Sequence, residues 1–230
     1  MRALNEPLRE LGEYEQIIRS LQNRNTPVHI DGCIDSQKCH MISSLGEDYP
    51  YKLIVTYNEI KAKDIYEDYS FFDKRVCYYP PKDLIFFSAD IHGNLITSRR
   101  LEALRRLMDG SPVTIITTID GLLDFVMPFS RLCSWKMHYR VGDVMPFSVL
   151  AQQLVAMGFE RKEQVEKPGE FAIRGGILDV YNIGEDCPYR VERWGDEVDT
   201  IKLFDAQTQR SIEQVDAITI YPAAEYMLTP

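Results

Sequence analysis

The chain has 230 residues, a formal net charge of −9, 45% hydrophobic residues and 27% charged residues. That length holds one large domain or two modest ones, and two is the expectation. The acidic balance argues against a nucleic-acid backbone as the main partner, because such affinity rests on clustered Lys and Arg, and the apolar runs are too short to span a bilayer.

Taken in chain order, residues 1–25 carry Leu4, Leu8, Leu11, Tyr14, Ile17, Ile18 and Leu21 at three- and four-residue steps, which predicts a helix with one buried stripe. The opening "MRALNEPLRELGEYEQ" is acidic and amphipathic, unlike a secretory signal, so the chain is expected to be cytoplasmic, with no membrane contact. After Pro27 come four short β-rich runs, "VHID", "KLIVTY", "KRVCYY" and "VTIITTI". Helical patterns lie between several of them: "HMISSL", "NEIKAKDIYEDYSFF" and "SRRLEALRRLMDG", the last with Leu101, Leu104, Leu107 and Met108 as its buried stripe. This alternation predicts an α/β domain with a parallel sheet over residues 1–127.

Beyond Pro128 the pattern changes. A strand "SWKMHYRVGD" and a helix "MPFSVLAQQLVAMGF", facing inward at Leu150, Leu154 and Met157, precede strands punctuated by Pro168-Gly169, Gly175-Gly176, Gly184 and Gly195-Asp196. These signals predict antiparallel hairpins and a smaller α+β domain over residues 128–213. The apolar tail 214–230 reads as a strand that returns to the first domain or starts a further part of it.

Within "VHIDGCIDSQKCHMISSL" the frame of a phosphate-binding loop, G-x-x-x-x-G-K-[ST], falls on Gly32, Gln37, Lys38 and Cys39. A working loop uses its second Gly for close backbone approach and its hydroxyl residue to hold magnesium. Gln37 and Cys39 replace those two residues, and a thiol is a poor ligand for a hard cation. The alternatives are a degenerate loop that binds no nucleotide and a variant loop that still binds ATP. Asp120 in "TIITTIDG" is more simply a helix N-cap than the second half of such a site.

Other candidates have bland explanations. Cys33, Cys39, Cys77, Cys133 and Cys187 form no C-x-x-C pair, and His29, His40, His92 and His138 add no ligand spacing, so no metal is expected and the thiols read as free. Arg99, Arg100, Arg105 and Arg106 cluster on one helix, where a solvated face competes with a nucleic-acid or polymerase contact. Trp135 and Trp194 read as packed hydrophobes before surface anchors. Asp196, Glu197 and Asp199 read as an exposed acidic turn. No catalytic constellation can be placed from spacing.

The segments "GFERKEQVEKPGEFAIRGGILDVYN" and "YRVERWGDEVDTIKLFDAQTQRS" resemble the N-terminal module shared by bacterial transcription-repair coupling factors and UvrB, the helicase-like component of the excinuclease. The Thr-Gln-Arg-Ser ending is closer to the coupling factors, and "SRRLEALRRL", "TIITTIDGLLDFVMP" and "ITIYPAAEY" extend the resemblance over nearly the whole chain. It implies a degenerate P-loop NTPase-like first domain, which agrees with Gln37 and Cys39. The segment "YYPPKDLIFFSADIHGNLI" is too short for the DNA-clamping hairpin of UvrB. The family's function implies a non-catalytic recruitment module that binds UvrA, the damage-sensing ATPase of the excinuclease, and brings nucleotide excision repair to stalled RNA polymerase. Carried over by motif, the contact residues are Arg161 of "GFERK" and Arg174 of "FAIRGG", with Phe171 beside it; Ala172 stands where UvrB has a further arginine. Alternation along 171–175 leaves a second reading for Phe171, as core. No cofactor is implied for this chain; ATP, magnesium, DNA and RNA polymerase go with the motor of the full-length protein, which is an expected partner as the rest of its own chain. An ATP-dependent DNA-binding protein and an autoinhibitory structural domain remain as alternatives.

Overall fold

The computed structural model describes residues 6–82 and 91–227. After a 3₁₀ turn at Glu6–Glu10, the elements are α1 (Tyr14–Gln22), α2 (Asp35–Leu45), β1 (Tyr51–Thr56), α3 (Glu59–Tyr69), β2 (Val76–Tyr79), α4 (Ile91–Met108), β3 (Val113–Thr118), α5 (Ile119–Leu123), α6 (Phe129–Cys133), β4 (Met137–Arg140), α7 (Phe147–Ala156), β5 (Glu160–Arg161), β6 (Glu170–Arg174), β7 (Ile177–Val180), β8 (Tyr189–Trp194), β9 (Glu197–Phe204), β10 (Ser211–Val215) and β11 (Ala217–Ile220). They fall into two compact units, 1–82 with 109–123 and 83–108 with 124–230. No described helix is long and apolar enough to cross a membrane.

Unit 1 is built on a parallel sheet ordered β1-β3-β2. α2 and α3 cover one face, where Cys39, Ala62, Ile65 and Tyr69 pack against Val76, Tyr78 and Ile116. α3 starts where the Asn58 side chain accepts the Lys61 amide at 2.8 Å, an N-cap that satisfies a helix-end donor. "KLIVTY", "KRVCYY" and "VTIITTI" supply the three strands, but "VHID" does not form one: residues 25–31 are assigned no strand, and Ile30 is exposed. His29 and Asp31 explain the difference, since a strand of a parallel sheet is ordinarily buried on both faces. The first helical stripe is also divided. Gly12 lies in a turn between the 3₁₀ segment and α1, so Leu8 and Tyr14 pack on Met41 while Leu11 is exposed. Leu4 of that stripe, and residues 83–90 of the segment compared with the DNA-clamping hairpin, lie outside the described residues.

Unit 2 contains a six-stranded sheet ordered β10-β9-β8-β7-β6-β5, antiparallel throughout except for β5 against β6. Its inner face carries Phe171, Leu178, Val180, Val191 and Ile201, packed in one core with Leu150 and Leu154 of α7 and with Met157 just past its end. Leu104 and Met108 of α4 join this core, which is why that helix groups with unit 2. The closing strand, read as returning to the first domain or starting a further part of it, pairs antiparallel with β4, Ile218 opposite Tyr139, and buries Ile218 and Ile220 in the same core.

The basic helix is not a free cationic face. Arg100 is completely buried; it donates to Asp124 at 2.9 Å and forms a bidentate pair with Glu225. Arg105 pairs with Glu185 at 3.2 Å, and Arg106 with Glu102 at 3.0 Å. Asp120 lies in the first turn of α5, but the Gly121 amide is accepted by Thr118 Oγ1 at 3.1 Å, so the threonine does the capping.

Candidate functional site

The outer face of the six-stranded sheet is set by register. Ala172, Asp179, Arg190 and Lys202 align across β6 to β9, and Arg174, Ile177, Glu192 and Thr200 form the next row. Alternation sends these side chains away from the α7 core. At one end of the face Ala172, Val165, Tyr181 and Phe204 form a small buried cluster. Beyond it the face is ionic.

Asp179 is the hub. Only 1% of its side chain is exposed, and it accepts Arg190 Nε at 2.7 Å, Arg190 Nη2 at 2.9 Å and Arg174 Nη2 at 2.5 Å. A buried carboxylate is costly unless charge-paired and fully hydrogen-bonded, and two guanidinium forks meet that need. The Asp179 hydrogen bond holds the Arg190 guanidinium above its ordinary pKa, and Arg190 also lies 4.3 Å over the Phe204 ring. Arg174 donates with Nη1 to the Glu163 carbonyl at 3.0 Å, yet 45% of its side chain is exposed. It is therefore a cation fixed in direction with its outer edge in solvent. Farther along, Lys202 and Thr200 hold Glu192 at 3.0 and 3.1 Å, and the Lys202 bond keeps that carboxyl below its usual range.

The three expected contact residues do not share this face. Arg161 is exposed on the edge strand β5, in register with Phe171, so it leaves the sheet from the side opposite Arg174. Phe171 has no exposed surface and packs in the α7 core; a partner approaching the folded domain cannot reach its ring. Ala172 is buried as well, because the outer cluster covers it. Sequence reasoning missed Asp179 and Arg190; the lone acid inside the apolar run of "GILDVYN" and the Arg190 and Glu192 alternation of "YRVERW" were the available signal.

The segment carrying Gly32, Gln37, Lys38 and Cys39 is a helix entry. Gly32 has φ +80°, and the Gln37 side chain accepts the Ile34 amide at 3.2 Å, closing the first turn of α2. Lys38 reaches Asp35 at 3.3 Å, and Lys61 binds the other oxygen of that carboxylate. The Lys61 bond first, then Lys38, holds Asp35 below its ordinary pKa. Cys39 is 1% exposed in the unit 1 core, and burial pushes its thiol pKa up, away from the metal-binding thiolate. A cleft of about 570 Å³ lies beside Gly32 and Gln37, lined largely by Leu8, Tyr14, Ile17 and Met41. Its lining includes Glu13 and Asp31 but no basic residue, a poor match for a triphosphate. Among the described residues no group of three or more His, Cys, Asp or Glu could hold a metal ion.

Residues 137–226 match the family described as the UvrB interaction domain. Every strand of the charged face lies inside the match. The transcription-repair-coupling factor of Bacillus subtilis (strain 168) is 29% identical over 226 residues, which cover 97% of this chain and 19% of that protein. The transcription-repair-coupling factor of Staphylococcus aureus (strain USA300) is 30% identical over 233 residues, covering 100% of this chain and 20% of that protein. The resemblance to the N-terminal part of the coupling factors thus extends over the whole chain, which spans about a fifth of the length of these relatives.

Proposed function

We propose that this chain is a non-catalytic recruitment module, acting in the cytoplasm, whose UvrB interaction domain binds UvrA, the damage-sensing ATPase of the excinuclease. In the longer protein it would bring nucleotide excision repair to RNA polymerase stalled at damage. An ATP-dependent motor elsewhere in that protein would do the translocation, with ATP, magnesium and DNA handled there. Unit 1 has no nucleotide role in this proposal.

The observation that carries the reading is Arg174. Its guanidinium is held by Asp179 and the Glu163 carbonyl while its outer edge stays in solvent. A preoriented arginine loses less side-chain freedom on binding and presents a planar fork suited to a carboxylate. Arg161, which leaves the opposite side of the sheet at its edge strand β5, would contribute where the partner wraps around that edge.

The test is binding of the 230-residue chain to purified UvrA. Arg174→Ala is expected to weaken the complex by about 1–3 kcal/mol, and Arg161→Ala by about 1 kcal/mol, with folding checked for each variant. A folded wild-type chain that does not bind refutes the proposal. Binding that neither substitution alters places the contact on another surface.

A further inference from the structure

Trp194 is 87% exposed, whereas Trp135 packs against the unit 2 core. It ends β8 and enters a tight turn in which Gly195 takes φ +64°. An indole left in water forgoes the apolar burial that ordinarily draws Trp inward, and such a residue is the usual aromatic anchor of protein interfaces.

The direction of the ring follows from β8. Arg193 turns inward and lies 4.2 Å over the Phe147 ring, while Glu192 turns outward to Thr200 and Lys202. The irregularity in the β8–β9 ladder falls at Asp199 of β9, which has no ladder partner, so alternation along β8 continues undisturbed. Trp194 therefore leaves the sheet on the outer face, the face of Arg174. Glu192 aligns with Ile177, and Ile177 with Arg174, so the Trp194 strand lies about 10 Å across the sheet from Arg174, two strand spacings. The hairpin turn between β6 and β7 is Gly175-Gly176, so no side chain rises there to obstruct a partner. Both residues lie within the matched interaction domain.

We infer that Trp194 is the aromatic anchor of the Arg174 docking face, inserting into an apolar pocket of UvrA beside the carboxylate that Arg174 meets. This rests on the proposed docking function and adds the apolar half of the recognition. Continuity of one sheet face from a preoriented cation to an uncovered indole supports a single partner spanning both.

The experiment measures UvrA binding by the wild-type chain and by Arg174→Ala, Trp194→Ala and Trp194→Phe. Trp194→Ala is expected to weaken binding about thirtyfold, and Trp194→Phe to recover most of the loss; the side chain's exposure lets both variants fold normally. If Arg174→Ala weakens binding but Trp194→Ala stays within about twofold of wild type, the anchor assignment is overturned and the docking function survives. If the folded wild-type chain does not bind, both fall. If Trp194→Ala instead abolishes a self-association seen by sedimentation without the partner, and leaves UvrA binding unchanged, the occupant is a second copy and the assignment is likewise overturned.

Discussion

Arg100 shows how far a residue's fate can depart from its local sequence. In "SRRLEALRRL" it resembles its neighbours, and a charged side chain on a helix is ordinarily solvated. It is instead fully buried, with Asp124 and Glu225 supplying carboxylates, the latter from 125 positions away. Removing it would strand Glu225, whose side chain is itself only 6% exposed. Arg100→Ala is expected to destabilise unit 2 by about 3–5 kcal/mol, read from the urea midpoint. Arg106→Ala, which removes a partly exposed pair with Glu102, should cost under about 1 kcal/mol. Equal shifts in the two variants would contradict the buried-triad account. Trp194 and Cys39 carry the same lesson in opposite directions: one is a large apolar side chain left in solvent, the other a supposed ligand position absorbed into a core.

At the scale of elements, the closing segment docks on the end of α7 through one glycine. Gly158 has φ +91°, and a Cβ there would meet Ala224 Cβ at 2.6 Å and the Ala224 amide nitrogen at 3.2 Å. Beside it the Ala223 amide donates to the Met157 carbonyl at 2.9 Å. Gly158→Ala is therefore expected to cost about 2–4 kcal/mol, combining left-handed backbone strain with overpacking against the main chain. Gly142 shares φ +91° but has open space around it, so Gly142→Ala should show only the backbone cost of about 1–2 kcal/mol. Thermal or urea unfolding of the two variants separates the contributions. "KLIVTY" and "VTIITTI" were legible as strands because continuous apolar runs suit a parallel sheet; "VHID" misled because short runs identify apolar character without showing whether a ladder partner exists.

For the whole molecule, ATP binding at the phosphate-loop frame is what separates the proposed recruitment module from an ATP-using one. Gln37 spends its side-chain oxygen on the start of α2, Lys38 is paired with Asp35, and the neighbouring cleft is apolar and acidic. Millimolar ATP with magnesium is therefore expected to leave the melting temperature of this chain unchanged. A ligand present at a hundred times its Kd would add about 2.7 kcal/mol of stability and raise the midpoint visibly. Such a rise, abolished by Lys38→Ala, would restore the variant-loop reading.

By itself the sequence determined the mixed α/β character, the parallel strands at 51–56 and 113–118, the hairpins of the second half and the resemblance to coupling factors, because periodicity, turn residues and ordered motifs are local along the chain. Only the tertiary structure decided that α4 joins the second unit, that Phe171 is core, that Arg174 and Arg161 leave opposite sides of the sheet, and that Asp179 and Arg190 orient the exposed cation. Each of those outcomes depends on which residues meet across strands or after long loops. Side-chain alternation along one strand tells which residues share a face, but the packing of other elements decides which face is buried.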